Sequence, residues 1–201
     1  MGKLDRSFYL KDTVTVARQL LGKLLVHEVD GNKISGLIVE TEAYLGTEDR
    51  AAHSFGGRRT PRNEAMYSQG GHAYVYFIYG MYYCFNAVTG HEGVSEAVLV
   101  RALEPLEGLD FMAAARYQTS YSELNARQKI NLTNGPGKLC MALTIDRSLN
   151  GEDLCGNRLY IEERDETPDI CSSKRIGIDY AGDDRDLLLR FNILNNKYVS
   201  K

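Results

Sequence analysis

The spacing of hydrophobic and polar positions changes several times along the chain, and each change marks an element. In "TVTVARQLLGK", Val16, Leu20 and Leu21 recur on one side of a helical repeat, and Asp12 stands where it can cap the first turn. "LLVHEV" and "ISGLIVETEAY" flank the turn "DGNK", which predicts a hairpin of two strands. Residues 45–72 form a long polar connection with five glycines; such a length inside a compact domain is functional or disordered. "AYVYFIY" and "YYCFNAV" predict a second hairpin that turns at Gly80-Met81, followed by a strand in "AVLVRALEPL". Helical patterns occupy about residues 106–119, 123–131 and 137–145, and strands are expected in "RLYIEER", "RIGIDYA" and "DLLLRFNI". No repeat, low-complexity segment or linker divides the chain. The expectation is a single α+β domain over residues 1–201, built on a mixed, mainly antiparallel, curved sheet flanked by helices.

Composition narrows the class without choosing a function. With 43% hydrophobic and 25% charged residues over 201 positions, this is an ordinary globular chain. No apolar run of about 18 residues is present to span a membrane, and "MGKLDRSFYLKDTV" lacks the apolar centre of a signal peptide. Cys84, Cys140, Cys155 and Cys171 are scattered without a C-x-x-C pair, and the four histidines do not cluster with them. Neither a metal site nor a disulfide framework is expected, and no cofactor is implied. The net charge of −3 speaks against a chain that binds nucleic acid over its whole surface. Its distribution is uneven, however. Arg58, Arg59 and Arg62 crowd into "GGRRTPRN", while Asp179 to Asp186 holds four aspartates, so a basic face on an acidic body is expected.

Three groups of residues have chemistry to offer. Glu40 and Glu42 in "VETEAY" are two apart and share one face of a strand. They read either as a solvated polar face or, with an acid fixed on a rigid element ahead of a glycine-rich loop, as a candidate general base. His53 in "AAHSFGG" is either a core histidine satisfied by a backbone carbonyl or a reader of a ligand edge. The aromatic hairpin spends seven of the fourteen residues from Ala73 to Asn86 on Tyr or Phe. Alternation places Tyr74, Tyr76 and Ile78 on one face and Val75, Phe77 and Tyr79 on the other. Core packing accounts for part of this, but Tyr79 and Met81 beside Gly80 would be presented outward at a tight turn. Exposed rings near an arginine cluster point to base stacking, or to insertion of a ring into a duplex.

Taken in order, "ETEAYLG", "AAHSFGGRRTPRN", "YVYFIYGMYYCFN", "VLVRALEPLEG" and "NGPGKLC" resemble the alkyladenine (3-methyladenine) DNA glycosylase family, over roughly Leu20 to Phe191. The resemblance implies that Glu42 activates the attacking water, that Arg101 helps hold it, and that the main-chain carbonyl of Ile176 is a third contact. It implies that Tyr44, Tyr76 and His53 sandwich an extruded base, and that Asn86 crowds the exocyclic amino group of guanine. The protruding hairpin would enter the DNA minor groove with Tyr79 as its wedge, flanked by Met81 and Tyr82. Arg58, Arg59, Arg62 and Lys138 would touch phosphates. The implied protein is a monomeric, cytoplasmic, nucleoid-associated monofunctional hydrolase acting on double-stranded DNA with damaged purines. The class includes 3-methyladenine, hypoxanthine, ethenoadenine and 7-methylguanine. Two departures stand out: "AVTGHEGVSEAVLVR" runs about two residues longer than the usual form, and Phe55 stands where relatives can carry a basic residue. Without the Glu42–Arg101 pair, the same hairpin and arginines would describe a module that recognises damaged DNA and does not cleave it. A protein acting on free purines would need the pocket but neither Tyr79 nor the arginines.

Overall fold

The structure is a computed structural model describing residues 2–200; positions 1 and 201, the ends of the expected domain, lie outside the described residues. Its first hairpin joins β1 (Leu24–Val29) to β2 (Asn32–Tyr44). Only Asp30 and Gly31 make the turn, both with positive φ (50° and 75°), the backbone that matches the twist of a two-residue hairpin. Asn32 and Lys33, expected in the turn, already pair with Val29 and Glu28. The aromatic hairpin comprises β3 (Ala73–Ile78) and β4 (Tyr82–Thr89), and β5 (Glu96–Glu107) follows. Later come β6 (Leu159–Glu162), β7 (Ile170–Ser173) and β8 (Arg190–Ile193). All eight belong to one curled sheet of order β3-β4-β5-β2-β1-β6, with β8 on β2 beyond the end of β1 and β7 outside β8. Every strand pair among the described residues is antiparallel, a more uniform sheet than the mixed one expected.

The helices are short: α1 (Arg6–Tyr9), α2 (Thr13–Gln19), α3 (Leu109–Tyr117), α4 (Ala126–Ile130) and α5 (Pro136–Ala142). The Asp12 carboxylate accepts the Thr15 amide at 2.9 Å, which fixes where α2 begins. The core lies between one face of the sheet and these helices, with Leu20, Ile38, Val75, Phe85, Leu103 and Leu139 all buried in it. Residues 45–72, expected as a long polar connection that is functional or disordered, are ordered and contain three 3-10 turns (46–48, 55–57 and 64–67). The last of these packs Ala65, Met66 and Tyr67 against Tyr74 and Val88 on the sheet's opposite face.

"RIGIDYA" is not a strand. Arg175 is drawn under the surface into a bidentate pair with Asp49 (2.5 and 2.9 Å), and it also donates to the carbonyl of Ala43 at 3.0 Å. Gly177 then takes a φ of +76°, and residues 179–186 continue in 3-10 turns. A buried ion pair has overridden the β-pattern of the apolar residues. The strand in this region is β7, in "ICSS", where apolar alternation gives no signal.

Candidate active site

The catalytic candidates owe their position to a register irregularity. Between β2 and β5 the pairing runs Ile38 with Leu103, Glu40 with Ala102, then Thr41 with Val100, so Val39 and Arg101 have no register partner. Such bulges re-aim side chains. Before this point Ile34 and Ile38 face the core; after it Ala43 does, and Thr41 donates to the Ala17 carbonyl of α2 at 2.8 Å. Glu42 and Tyr44 are thereby turned to the other face, toward Ile176 and toward Ala51 and Ile178, while Glu40 meets Arg190 and Ser200. A solvated polar face is ruled out for the two glutamates: both are 0% exposed.

Alternate residues of four neighbouring strands line a cavity of about 450 Å³ on that face, within the size range of small-molecule sites. Glu42 lies just behind this lining, held by three residues that border the cavity, Tyr44, Arg101 and Ile176. One carboxylate oxygen accepts the Ile176 amide at 2.8 Å and faces the Arg101 Nη1 at 3.3 Å, while the other accepts the Tyr44 hydroxyl at 2.8 Å. Burial raises the Glu42 pKa; Arg101, the Ile176 amide and the Tyr44 hydroxyl pull against it. Tyr44, His53, Tyr76, Tyr79, Tyr82, Asn86, Arg101 and Ile176, each named from sequence, all border this one space. The Ile176 backbone meets Glu42 through its N–H, where the resemblance implied its carbonyl toward the water.

The walls are aromatic. His53 Nδ1 shares a hydrogen bond with the Tyr74 hydroxyl at 2.8 Å, and its ring lies edge-on to Tyr76 with centroids 4.6 Å apart. Burial, with Arg62 and Arg58 nearby, pushes the His53 pKa down to about 4, so the imidazole is neutral at physiological pH. Asn86 is buried and donates to the Tyr74 carbonyl at 3.0 Å, which fixes the side chain on the floor. Tyr82 stacks so tightly on the first turn of α5 that a Cβ on Gly137 would come within 2.9 Å of its ring. Tyr79 has a positive φ of 53° and is 81% exposed; the turn has taken it out of the strand's alternation and over the mouth of the cavity. Met81 is exposed at the same tip.

The basic residues divide. Arg58 and Arg62 line a second, smaller cavity that adjoins the first behind His53 and Tyr74. Arg62 is steadied by the Phe77 carbonyl at 3.0 Å. Arg59 turns aside into a surface pair with Glu64, 4.5 Å over the Tyr67 ring. Lys138 borders neither cavity; its ammonium donates to Asn134 Oδ1 at 2.8 Å.

A family model described as methylpurine-DNA glycosylase (MPG) matches residues 7–197. The chain belongs to the methylpurine-DNA glycosylase family. Relatives carrying the name "Putative 3-methyladenine DNA glycosylase" match over essentially their whole length. That of Desulfitobacterium hafniense (strain Y51) is 57% identical over 201 residues, covering 100% of this chain and 99% of the relative. That of Clostridium acetobutylicum is 55% identical over 199 residues (98% and 97%), and that of Clostridium tetani 53% over 201 (99% and 99%). The family is one of hydrolases acting on N-glycosyl bonds, with DNA carrying methylated purines as substrate. Among the described residues no helix is long and apolar enough to cross a membrane.

Sequence reasoning missed several residues of the site. Tyr180 is 70% exposed, donates to the Ala51 carbonyl at 3.2 Å and borders both cavities. It sits in "RIGIDYA", whose apolar spacing reads as a strand and gives no cue to the cavity. The Asp49–Arg175 pair was missed for the same reason, although its guanidinium lies 4.8 Å over the Tyr44 ring and anchors the loop that delivers the Ile176 amide. Glu40 was seen only as half of a pair.

Proposed function

We propose that this chain extrudes a damaged purine from duplex DNA and hydrolyses its N-glycosidic bond with a water activated by Glu42, leaving the strand uncut. One observation carries the reading: a carboxylate shut away from solvent directly behind the lining of an aromatic-walled cavity, bonded to three residues that border it, with its proton affinity raised by burial. A purine inside a duplex is out of reach of a hydrolytic water, so the nucleotide must leave the stack. Tyr44, His53 and Tyr76 would hold the extruded ring, and Tyr79 would fill the space it vacates.

Glu42 takes a proton from water as the oxygen attacks the sugar C1′. The C1′–N bond breaks with its electron pair going to the base. The carboxylate also stabilises the positive charge that grows on the sugar, while Arg101 favours the ionised carboxylate between turnovers. Purines already charged by alkylation, such as 3-methyladenine and 7-methylguanine, leave readily. Neutral hypoxanthine and ethenoadenine would draw on hydrogen bonds from the pocket, because His53 is neutral there and is no strong acid. Asn86, pinned on the floor, would exclude the guanine amino group. The reading carries with it a monomer working on the nucleoid in the cytoplasm.

The test is single-turnover release of base from duplexes with one hypoxanthine or one ethenoadenine, comparing wild type with Glu42→Gln. Excision should fall by about 10²–10⁴-fold while lesion binding survives, with no strand nick before alkali. Equal excision by both proteins would remove Glu42 as the base. Tight lesion binding without release by either would favour a recognition module.

A further inference from the structure

Glu40 is as deeply buried as Glu42, but it stands one layer further from the cavity: all three partners of Glu42 (Tyr44, Arg101 and Ile176) border that space, and of the partners of Glu40 only Arg101 does. Four donors converge on it. One oxygen accepts from Arg101 Nε at 3.0 Å, Arg190 Nε at 2.6 Å and Ser200 Oγ at 2.9 Å; the other accepts the Ser200 amide at 2.7 Å. The same arginine turns Nη1 to Glu42 at 3.3 Å and Nη2 to Ser200 Oγ at 3.3 Å. All three guanidinium nitrogens are therefore engaged. The contact to Glu40 has the length of a good charged hydrogen bond, and the contact to Glu42 is longer than that. Two fully buried carboxylates and two largely buried guanidiniums make a neutral set, which is how buried charge is tolerated.

We propose that Glu40 is a positioning residue for the reaction: with Arg190 and Ser200 it holds Arg101 just short of a tight pair with Glu42, which leaves a lone pair on the oxygen bonded to Tyr44 free for water. The proposal rests on Glu42 being the base. A guanidinium closed bidentately on Glu42 would occupy both oxygens and lower its affinity for a proton. Glu40 prevents this by taking Nε, and Tyr198, buried against Val39 and Ala102, seats the segment that carries Ser200. The family match ends at residue 197, so Ser200 lies beyond it.

The groups facing Glu42 are Arg101 on β5, Glu40 and Tyr44 on β2, Tyr76 on β3, Cys84 on β4, and Arg175 and Tyr180 from the loop after β7. Burial drives Tyr44 and Tyr76 upward and Cys84 to about 11, so none of these three titrates on the acidic side of neutrality. The Glu40 charge raises the Glu42 pKa. Removing it lowers that pKa directly, and lowers it again by releasing Arg101 to close on Glu42.

The experiment is the pH profile of single-turnover excision for wild type, Glu40→Gln, Ser200→Ala and Glu42→Gln, with lesion-DNA affinity measured in parallel. Glu40→Gln should lose about tenfold or more in rate at neutral pH. Its acidic limb should move to lower pH, with lesion affinity unchanged. An acidic limb superimposed on that of wild type would overturn the proposal, as would equal loss of binding and rate. Ser200→Ala changes no charge and tests the same lock if Glu40→Gln fails to fold. Its rate should drop several-fold at constant affinity, and an unchanged rate would overturn the proposal. An inactive wild type, or a fully active Glu42→Gln, would instead overturn the choice of base, a result the Glu40 and Ser200 variants cannot produce.

Discussion

Behind the floor of the cavity, Glu42 is sealed from solvent and meets three donors; at the hairpin tip, Tyr79 and Met81 stand in water. The two regions are parts of one curled sheet. Below the cavity Glu42 is fixed by two partners from other elements, Arg101 from β5 and the Ile176 amide from a loop tied down by Arg175, and by Tyr44 from its own strand. At the tip there is only a tight turn, in which Tyr79 and Gly80 both have positive φ (53° and 69°). A non-glycine residue in that conformation costs on the order of 1 kcal/mol, and the exposed ring recovers nothing from packing in the free protein. The floor thus holds groups whose geometry must be fixed before substrate arrives. On the proposed function, the tip holds apolar surface that would gain its contacts from DNA.

Breaking one element of each region should separate them. Asp49→Ala leaves the Arg175 guanidinium buried without its partner, which costs about 3–5 kcal/mol of stability. It also releases the loop that aims the Ile176 amide at Glu42. Urea unfolding should show the first loss and single-turnover excision the second; a variant as stable and as active as wild type would deny the pair any role in the floor. Tyr79→Ser should leave the urea midpoint unmoved. It should weaken binding to a lesion duplex by about 1–3 kcal/mol, the range for a base-stacking ring, with far less effect on single-stranded lesion DNA. Equal weakening on both DNAs would mean that the ring does not act as a wedge.

The tip was more legible than the floor. Aromatic excess in "YVYFIYGMYY" and a Gly80-Met81 turn between two rings identify the hairpin and its exposed end directly, because local turn chemistry decides them. The floor depends on contacts across the chain. Glu40 and Glu42 are visible as a same-face pair, yet nothing local says that the face is buried. That follows from the register slip at Val39 and Arg101, from the turns of residues 45–72, and from Ser200, 160 residues away. The apolar spacing of "RIGIDYA" predicts a strand correctly by its own logic. It fails because Arg175 finds Asp49, a partner 126 residues distant that no periodicity reports. Tyr180 follows from the same loop and was equally invisible. The family resemblance supplied what local reasoning lacked for Glu42, but it named neither Glu40 nor Asp49.

The smallest effect concerns what the floor costs the fold. Burial raises the Glu42 pKa in the folded protein, so folding takes up a proton there as pH falls, and the ionised carboxylate opposes folding above that pKa. Glu42→Gln removes the buried charge at nearly constant volume. Its amide oxygen can still accept the Ile176 N–H, and Arg101 keeps Glu40 as partner. The variant should therefore be more stable than wild type at neutral pH, by on the order of 1 kcal/mol, as expected where an active site trades stability for function. The sign of the pH dependence follows. The folded pKa is above the unfolded one, so the wild type regains the deficit as pH falls through the folded value, and has regained it below the unfolded value. Urea midpoints of the two proteins should converge on acidification and diverge toward neutrality. A gap constant with pH would assign the difference to packing, and a gap widening toward acid would mean that Arg101 and Tyr44 hold the Glu42 pKa below its ordinary value.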